Sequence, residues 1–166
     1  MMFPQMRRYK QALPPEDCRR ILAQGTSGVL ALSDGDGYPY AVPLSYVYHN
    51  DHIYFHSAVS GHKLDLLRTN PKASFCVIDQ DQVVPAEYTT YFRSVIVFGT
   101  LRELSDPMEK RTALRALAVR YYPGNTPEGH EAAMGDEARP ICMLELTVDH
   151  MTGKEAKELA RQRNGE

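Results

Sequence analysis

The sequence predicts a mainly β, α+β domain: a small antiparallel barrel of about six short strands with helices at its margins. Three observations carry this reading. Apolar stretches of strand length recur between tight-turn signals, among them Asp34-Gly35-Asp36-Gly37 and Asn50-Asp51. Helical patterns stand at the margins of this strand series and do not alternate with strands as βαβ units would require. A chain of 166 residues, 43% hydrophobic, is long enough to bury one core without disulfide staples.

Bulk composition narrows the function. The net charge of -2 argues against a nucleic-acid surface. Cys18, Cys76 and Cys142 are odd in number and scattered, with no CxxC pair, so a reducing, cytoplasmic setting is expected and a structural zinc is not. The basic N-terminus lacks an apolar h-region, and no apolar run approaches the roughly 20 residues that span a bilayer. The expectation is a single domain over 1–166, with an extended arm at 1–13 and a charged helix or tail at 152–166.

Along the chain, Pro14-Pro15-Glu16-Asp17 opens a helix, since proline suits a first turn and acids its positive end. Ile21 and Leu22 form its apolar side and Gly25 its stop. Ser27 to Ser33 is a strand apolar on both faces, hence central. Tyr38 to Tyr48 carries Pro39 and Pro43, which confine it to an edge or a bulge. After the Asn50-Asp51 hairpin, the strand beginning at Ile53 leads into a short helix. Ala73 to Ile78 is the next strand, Asp79 to Thr90 a polar loop, and Tyr91 to Leu104 the longest strand. Asp106-Pro107 caps a helix ending near Tyr122, with Leu114 and Leu117 inward. Pro123 to Pro140 reads as a loop and Ile141 to Val148 as the last strand.

The most informative stretch is Tyr54 to Pro71, YFHSAVSGHKLDLLRTNP. Alternating residues end in the small turn Ser57-Ala58-Val59-Ser60-Gly61. A helix follows, with Leu64 and Leu67 on one face and Asn70-Pro71 as its stop. His62 and Lys63 stand at its entrance, where free N–H groups and the helix dipole gather beside hydroxyls. That is the chemistry of a phosphate site.

Metal and nucleophile readings fare worse. His52 and His56 share a strand face but lie roughly 13 Å apart, too far to hold one ion. No GxSxG elbow is present, and no cysteine neighbours a histidine. A flavin accounts for more residues: Pro43-Leu44-Ser45-Tyr46 offers a bulged strand for a ring, adjacent by hairpin to His56-Ser57.

Tyr40 to Tyr46 (YAVPLSY), His56 to Lys63 (HSAVSGHK) and Arg93-Ser94-Val95 resemble the pyridoxamine 5′-phosphate oxidase-like FMN-binding split-barrel superfamily. GHKLDLLRTNPKASFCV, followed by a strand ending in Val97-Phe98-Gly99, is most similar to its nitroimidazole-resistance branch. The resemblance covers Glu16 to Val148.

It implies a six-stranded antiparallel split barrel of Greek-key topology, and a homodimer with FMN bound between protomers. Tyr40, Val42, Pro43, Leu44, Ser45 and Tyr46 would line the flavin. His56, Ser57 and Ala58 would lie at its ribityl-phosphate end, and His62 and Lys63 at the basic pair that grips phosphate. Ser94 stands where related oxidases carry an amide near the ring, and His62 is the candidate catalytic residue. The chain has no tryptophan, which argues against recognition of pyridoxal phosphate itself. The expected function is a flavin-dependent oxidoreductase acting on a small electron-poor substrate such as a nitroaromatic. The rival is a non-catalytic flavin or haem carrier or sensor.

Overall fold

A computed structural model describes residues 3–135 and 141–165 of the chain; residues 1 and 2 of the expected arm, 136–140 of the expected loop and 166 of the tail lie outside the described residues. The strands are β1 (Ser27–Leu32), β2 (Tyr40–Ser45), β3 (Val47–His49), β4 (His52–Ser57), β5 (Lys72–Val84), β6 (Thr89–Glu103) and β7 (Cys142–Glu155). The helices are α1 (Pro15–Gln24), α2 (His62–Thr69), α3 (Pro107–Tyr121), α4 (Pro127–Met134) and α5 (Lys157–Asn164).

One seven-stranded antiparallel sheet runs in the order β2-β1-β5-β6-β7-β4-β3. β2 and β3 are separated only by Tyr46, yet they stand at opposite ends of that order. A single stretch of chain therefore leaves one edge and enters the other, curling the sheet into a split barrel. The strand expected over Tyr38 to Tyr48 breaks at Tyr46, so the count is seven instead of six. Pro43 sits opposite Val29 on the edge strand, where its missing N–H costs no ladder bond to an outer neighbour.

Leu30, Ile53, Phe55, Phe75, Val95, Val97 and Leu144 fill the interior at 0% exposure, with Leu22 of α1 and Leu64 of α2 plugging it. Tyr46 is equally buried: its ring meets Phe75 edge-on at 4.9 Å and its hydroxyl donates to the Leu22 carbonyl at 2.7 Å. Asn50 and Asp51 turn the β3–β4 hairpin with φ of 51° and 58°, a type I′ geometry these residues tolerate. A smaller apolar cluster of Val47, Leu104, Ala113, Leu117 and Met143 seats α3 on the outer face of β3, β4 and β7.

Three expectations are corrected. Asp79 to Thr90 is not a loop, because β5 and β6 continue as a long hairpin, paired from Gln80–Arg93 to Val84–Thr89 beyond an irregularity at Asp79. Its exposed flanks need no apolar alternation, so the pattern hides it. Within Pro123 to Pro140 lies α4, begun by the Thr126 side chain, which accepts from Gly129 N at 3.0 Å, and by Pro127 at its first position. Finally, β7 runs to Glu155, past Val148, and α5 starts only at Lys157. Glu155 is fully buried and accepts from Arg93 Nε at 3.2 Å and Arg163 Nε at 2.7 Å, which holds it in the sheet.

Gly25 ends α1 with φ of −64° and ψ of 152°, so its glycine is required by space and not by φ. A Cβ there would strike the Tyr46 hydroxyl and come within 3.1 Å of Val77 Cγ1. Gly25→Ala is expected to destabilise the fold by about 1–3 kcal/mol through overpacking. In a Tyr46→Phe background, which removes the struck oxygen, the same substitution should cost less. Urea unfolding of the two single variants and the double variant measures the difference; strictly additive costs would contradict the contact.

Candidate functional site

Ser57 ends β4, and the chain turns through Ala58 to Gly61, whose φ of 135° and open surroundings suit glycine. Among the described residues, no side chain caps α2. Leu64 N and Asp65 N bond back to Gly61 O at 2.9 and 3.3 Å, while the N–H groups of the preceding residues have no side-chain partner. His62 is exposed and Lys63 half-buried at this start, with Asp65 one turn in.

The β1–β2 turn leans on the same place. Asp34 accepts from Asp36 N at 3.1 Å and Gly37 N at 2.8 Å, and Asn70 Nδ2 ties the turn to the end of α2 by donating to Ser33 O at 2.9 Å. Those backbone donors, helped by the nearby His62 imidazole, hold the Asp34 carboxyl below its ordinary range. Tyr40, first in β2, meets the His62 ring edge-on with centroids 5.0 Å apart. The starts of β2 and α2 thus form one cluster of Asp34, Tyr40 and His62.

Along β2 the side chains divide. Tyr40, Val42 and Leu44 pack against the core, whereas Ala41, Pro43 and Ser45 are exposed. Among the described residues, the second edge of β2 has no strand neighbour, so its main-chain groups on that side are free of a ladder. Tyr46, expected among the ring-lining residues, turns its side chain into the core and can offer only its backbone. His56 and Ser57 were grouped by sequence, but strand alternation sends their side chains to opposite faces. His56 joins Ser45 on one wall of a groove of about 350 Å³, whose other wall is Leu114, Leu117 and Tyr121 of α3 and Met134 of α4. A second groove of about 310 Å³ at the other end of α3 contains none of the predicted site residues. There burial and the neighbouring Glu145 carboxylate push the Tyr54 phenol up to about 12.

Ser94 is not brought to the others within one chain. On β6 it pairs with Ile78 of β5 and Lys154 of β7, three strand steps from β2, roughly 14 Å across the sheet. Asp34, Tyr121 and Met134 were missed by sequence reasoning. Only Asp34, inside a turn motif, carried a signal, and that signal spoke of the turn.

The sequence pattern of the pyridoxamine 5′-phosphate oxidase family matches residues 14–155. The chain belongs to that family. An uncharacterized protein of Rhizobium meliloti is 30% identical over 155 residues, covering 89% of this chain and 96% of that protein. A crystal structure of an FAD-binding protein from Mesorhizobium loti shares 27% identity at a TM-score of 0.64, covering 88% of this chain and 97% of that one. A candidate 5-nitroimidazole antibiotic resistance protein of Bacteroides thetaiotaomicron, 24% identical over 87% of this chain and 86% of its own, superposes with a TM-score of 0.71 and shares the fold. Among the described residues, no helix is long and apolar enough to cross a membrane.

The Asp34 turn yields a pH signature. Its folded carboxyl titrates below the ordinary value of 3.8, so the turn's contribution is present above that value and is lost as pH falls through the lower folded pKa. Chemical shifts of Gly37 N–H and the Tyr40 and His62 rings should move together in that acid window. In Asp34→Ala they should already stand at their displaced positions at neutral pH. Independent titration of Gly37 and the two rings would contradict a shared cluster.

Proposed function

We propose that the chain is an FMN-dependent oxidoreductase that works as a cytoplasmic homodimer and reduces small, flat, electron-poor substrates such as nitroaromatics. The observation that carries this reading is a juxtaposition. An uncapped helix start bearing His62 and Lys63 lies beside the unpaired edge of β2, whose far end opens into the Ser45–His56 groove. The parts fit a flavin mononucleotide. Uncapped N–H groups and one permanent cation match a single terminal phosphate. Open space at Gly61 admits close approach, and free backbone groups along Tyr40 to Ser45 match the ring's polar edge.

A bound flavin would supply reversible electron transfer, and the protein would supply position and electrostatics. Lys63 would hold the phosphate, with Ser57 and Ala58 beside it. Pro43 would support the ring from the exposed face of β2, while Val42 and Leu44, whose side chains pack against the core, would offer only main-chain groups. His62, oriented by Tyr40, can give or take a proton at the substrate, while the apolar wall of α3 and α4 selects flat, uncharged molecules.

A second copy is supported by the outer face of the sheet. Its cross-strand row carries Val29, Cys76 and Ile96, with Ile78 65% exposed at one end, while Phe98 is packed by Phe3 of the arm. A soluble monomer rarely leaves such a row to water. Pairing there would bring Ser94 of one protomer towards the flavin of its partner. Three free cysteines fit a reducing compartment.

The test is FMN titration of wild type, Lys63→Ala and His62→Ala at pH values either side of neutral, followed by anaerobic addition of a reduced nicotinamide. Lys63→Ala should lose about tenfold to hundredfold in affinity, the value of one charge-assisted contact. His62→Ala should bind FMN nearly as wild type and turn over a nitroaromatic more slowly. Wild-type affinity in Lys63→Ala would remove the phosphate assignment.

A further inference from the structure

At Tyr46 the chain leaves one ladder and joins another. The last β1–β2 pair is Ser27–Ser45 and the first β3–β4 pair is Val47–Tyr54, so Tyr46 belongs to neither. Its N–H reaches Thr26 O only at 3.4 Å. The end of α3 fills the gap from outside. Tyr121 Oη accepts from Tyr46 N at 3.0 Å and sits against the carbonyls of Thr26 and Tyr46, donating to Thr26. Next to it, the Arg120 guanidinium donates to the carbonyls of Gln24 and Gly25, where α1 ends.

We infer that Tyr121, supported by Arg120, is a positioning residue for the candidate site: its hydroxyl sets the main chain at Ser45–Tyr46, and with it the ring edge of β2. The inference rests on the flavin reading above. Two features make it more than a packing contact. The Tyr121 ring lines the same groove as Ser45 and His56, so whatever fills the groove presses on the residue that holds the strand. The phenol oxygen is also fully engaged with backbone partners, so it orients the strand and is not a spare donor for a ligand. Sequence alone could not show this, because Tyr121 and Tyr46 are 75 positions apart.

Tyr121→Phe removes the hydroxyl and keeps the groove wall. Three readings decide the matter: amide hydrogen exchange at Tyr46, the visible absorption bands of bound FMN, and the split between kcat and KM for a nitroaromatic. The expected result is about tenfold faster exchange at Tyr46, the loss of one hydrogen bond. Shifted flavin bands and a lower kcat should accompany it, with FMN affinity within a few-fold of wild type because the Lys63 end is untouched. Unchanged exchange would overturn the inference. Faster exchange with wild-type bands and kcat would overturn it as well, by showing a structural role only. Should Tyr121→Phe fail to fold, Arg120→Met, which frees the α1 carbonyls and leaves the phenol, must give the same band shift in weaker form, and wild-type bands there would count against the proposal. A wild-type protein that binds no FMN defeats the flavin reading and with it the site role of Tyr121. Tyr46 exchange would then report separately on the strand contact.

Discussion

A strand can hydrogen-bond to a sheet edge on each side, but one straight strand cannot serve two edges that face different ways. The chain resolves this at Tyr46, where β2 stops pairing with β1 and β3 starts pairing with β4. Much of the molecule follows from that break. The buried Tyr46 ring fills the corner the bend opens, its hydroxyl anchors the end of α1, and Gly25 must lack a side chain to admit it. The break also leaves β2 with a free outer edge beside a groove roofed by α3 and α4. Closure of the barrel and creation of a free strand edge are one event.

Charges then fix the periphery. Glu155 at the end of β7 is fully buried and met by two arginines, Arg93 of β6 and Arg163 of α5. Arg93 also reaches Asp79 at 3.2 Å at the base of the long hairpin, and Arg163 donates to the Ala12 carbonyl of the N-terminal arm at 3.2 Å. A buried carboxylate is tolerable only when charged donors replace its lost water, so β5, β6, β7, α5 and the N-terminal arm, which supply these groups, are held together as a unit. On the opposite side Arg102 bridges the mostly buried Glu145 and Glu109 of α3, seating that helix over the groove region. Neither network touches the candidate site directly. The second network holds α3, whose far end walls the groove.

What the sequence disclosed followed from local rules. Turn chemistry at Asn50-Asp51, the proline-led starts of α1 and α3, and the leucine spacing of α2 are decided within a few residues, and each element stands where it was expected. The hairpin expected to set Pro43–Tyr46 beside His56-Ser57 does not form, because β2 pairs with β1 and only β3 pairs with β4; Tyr40 meets His62 through the curl of the sheet. Elements set by long-range partners were not legible. The β5–β6 hairpin has polar, exposed flanks and no apolar alternation, and β7 extends past Val148 because Arg93 and Arg163 claim Glu155. Tyr46 read as an ordinary ring-lining aromatic, since nothing local shows that the strand bends inward there. His56 and Ser57 are neighbours in sequence but face opposite sides of β4, and which side meets the groove is set by the face the barrel buries. Tyr121 carried no signal at all.

The outer face of the sheet leaves the site one-sided. Ser94 lies across that face from β2, and the apolar rows between them are open, so one chain offers a flavin a single wall. Under the proposed function, two copies would meet on this face and the flavin would bind between them. Sedimentation velocity of the purified, FMN-saturated protein, followed at both the protein and the flavin wavelengths, tests this most directly. The account predicts one boundary at twice the 18.8 kDa chain mass, carrying one flavin per chain. Flavin travelling with a stable monomer, or a dimer without flavin, would contradict it.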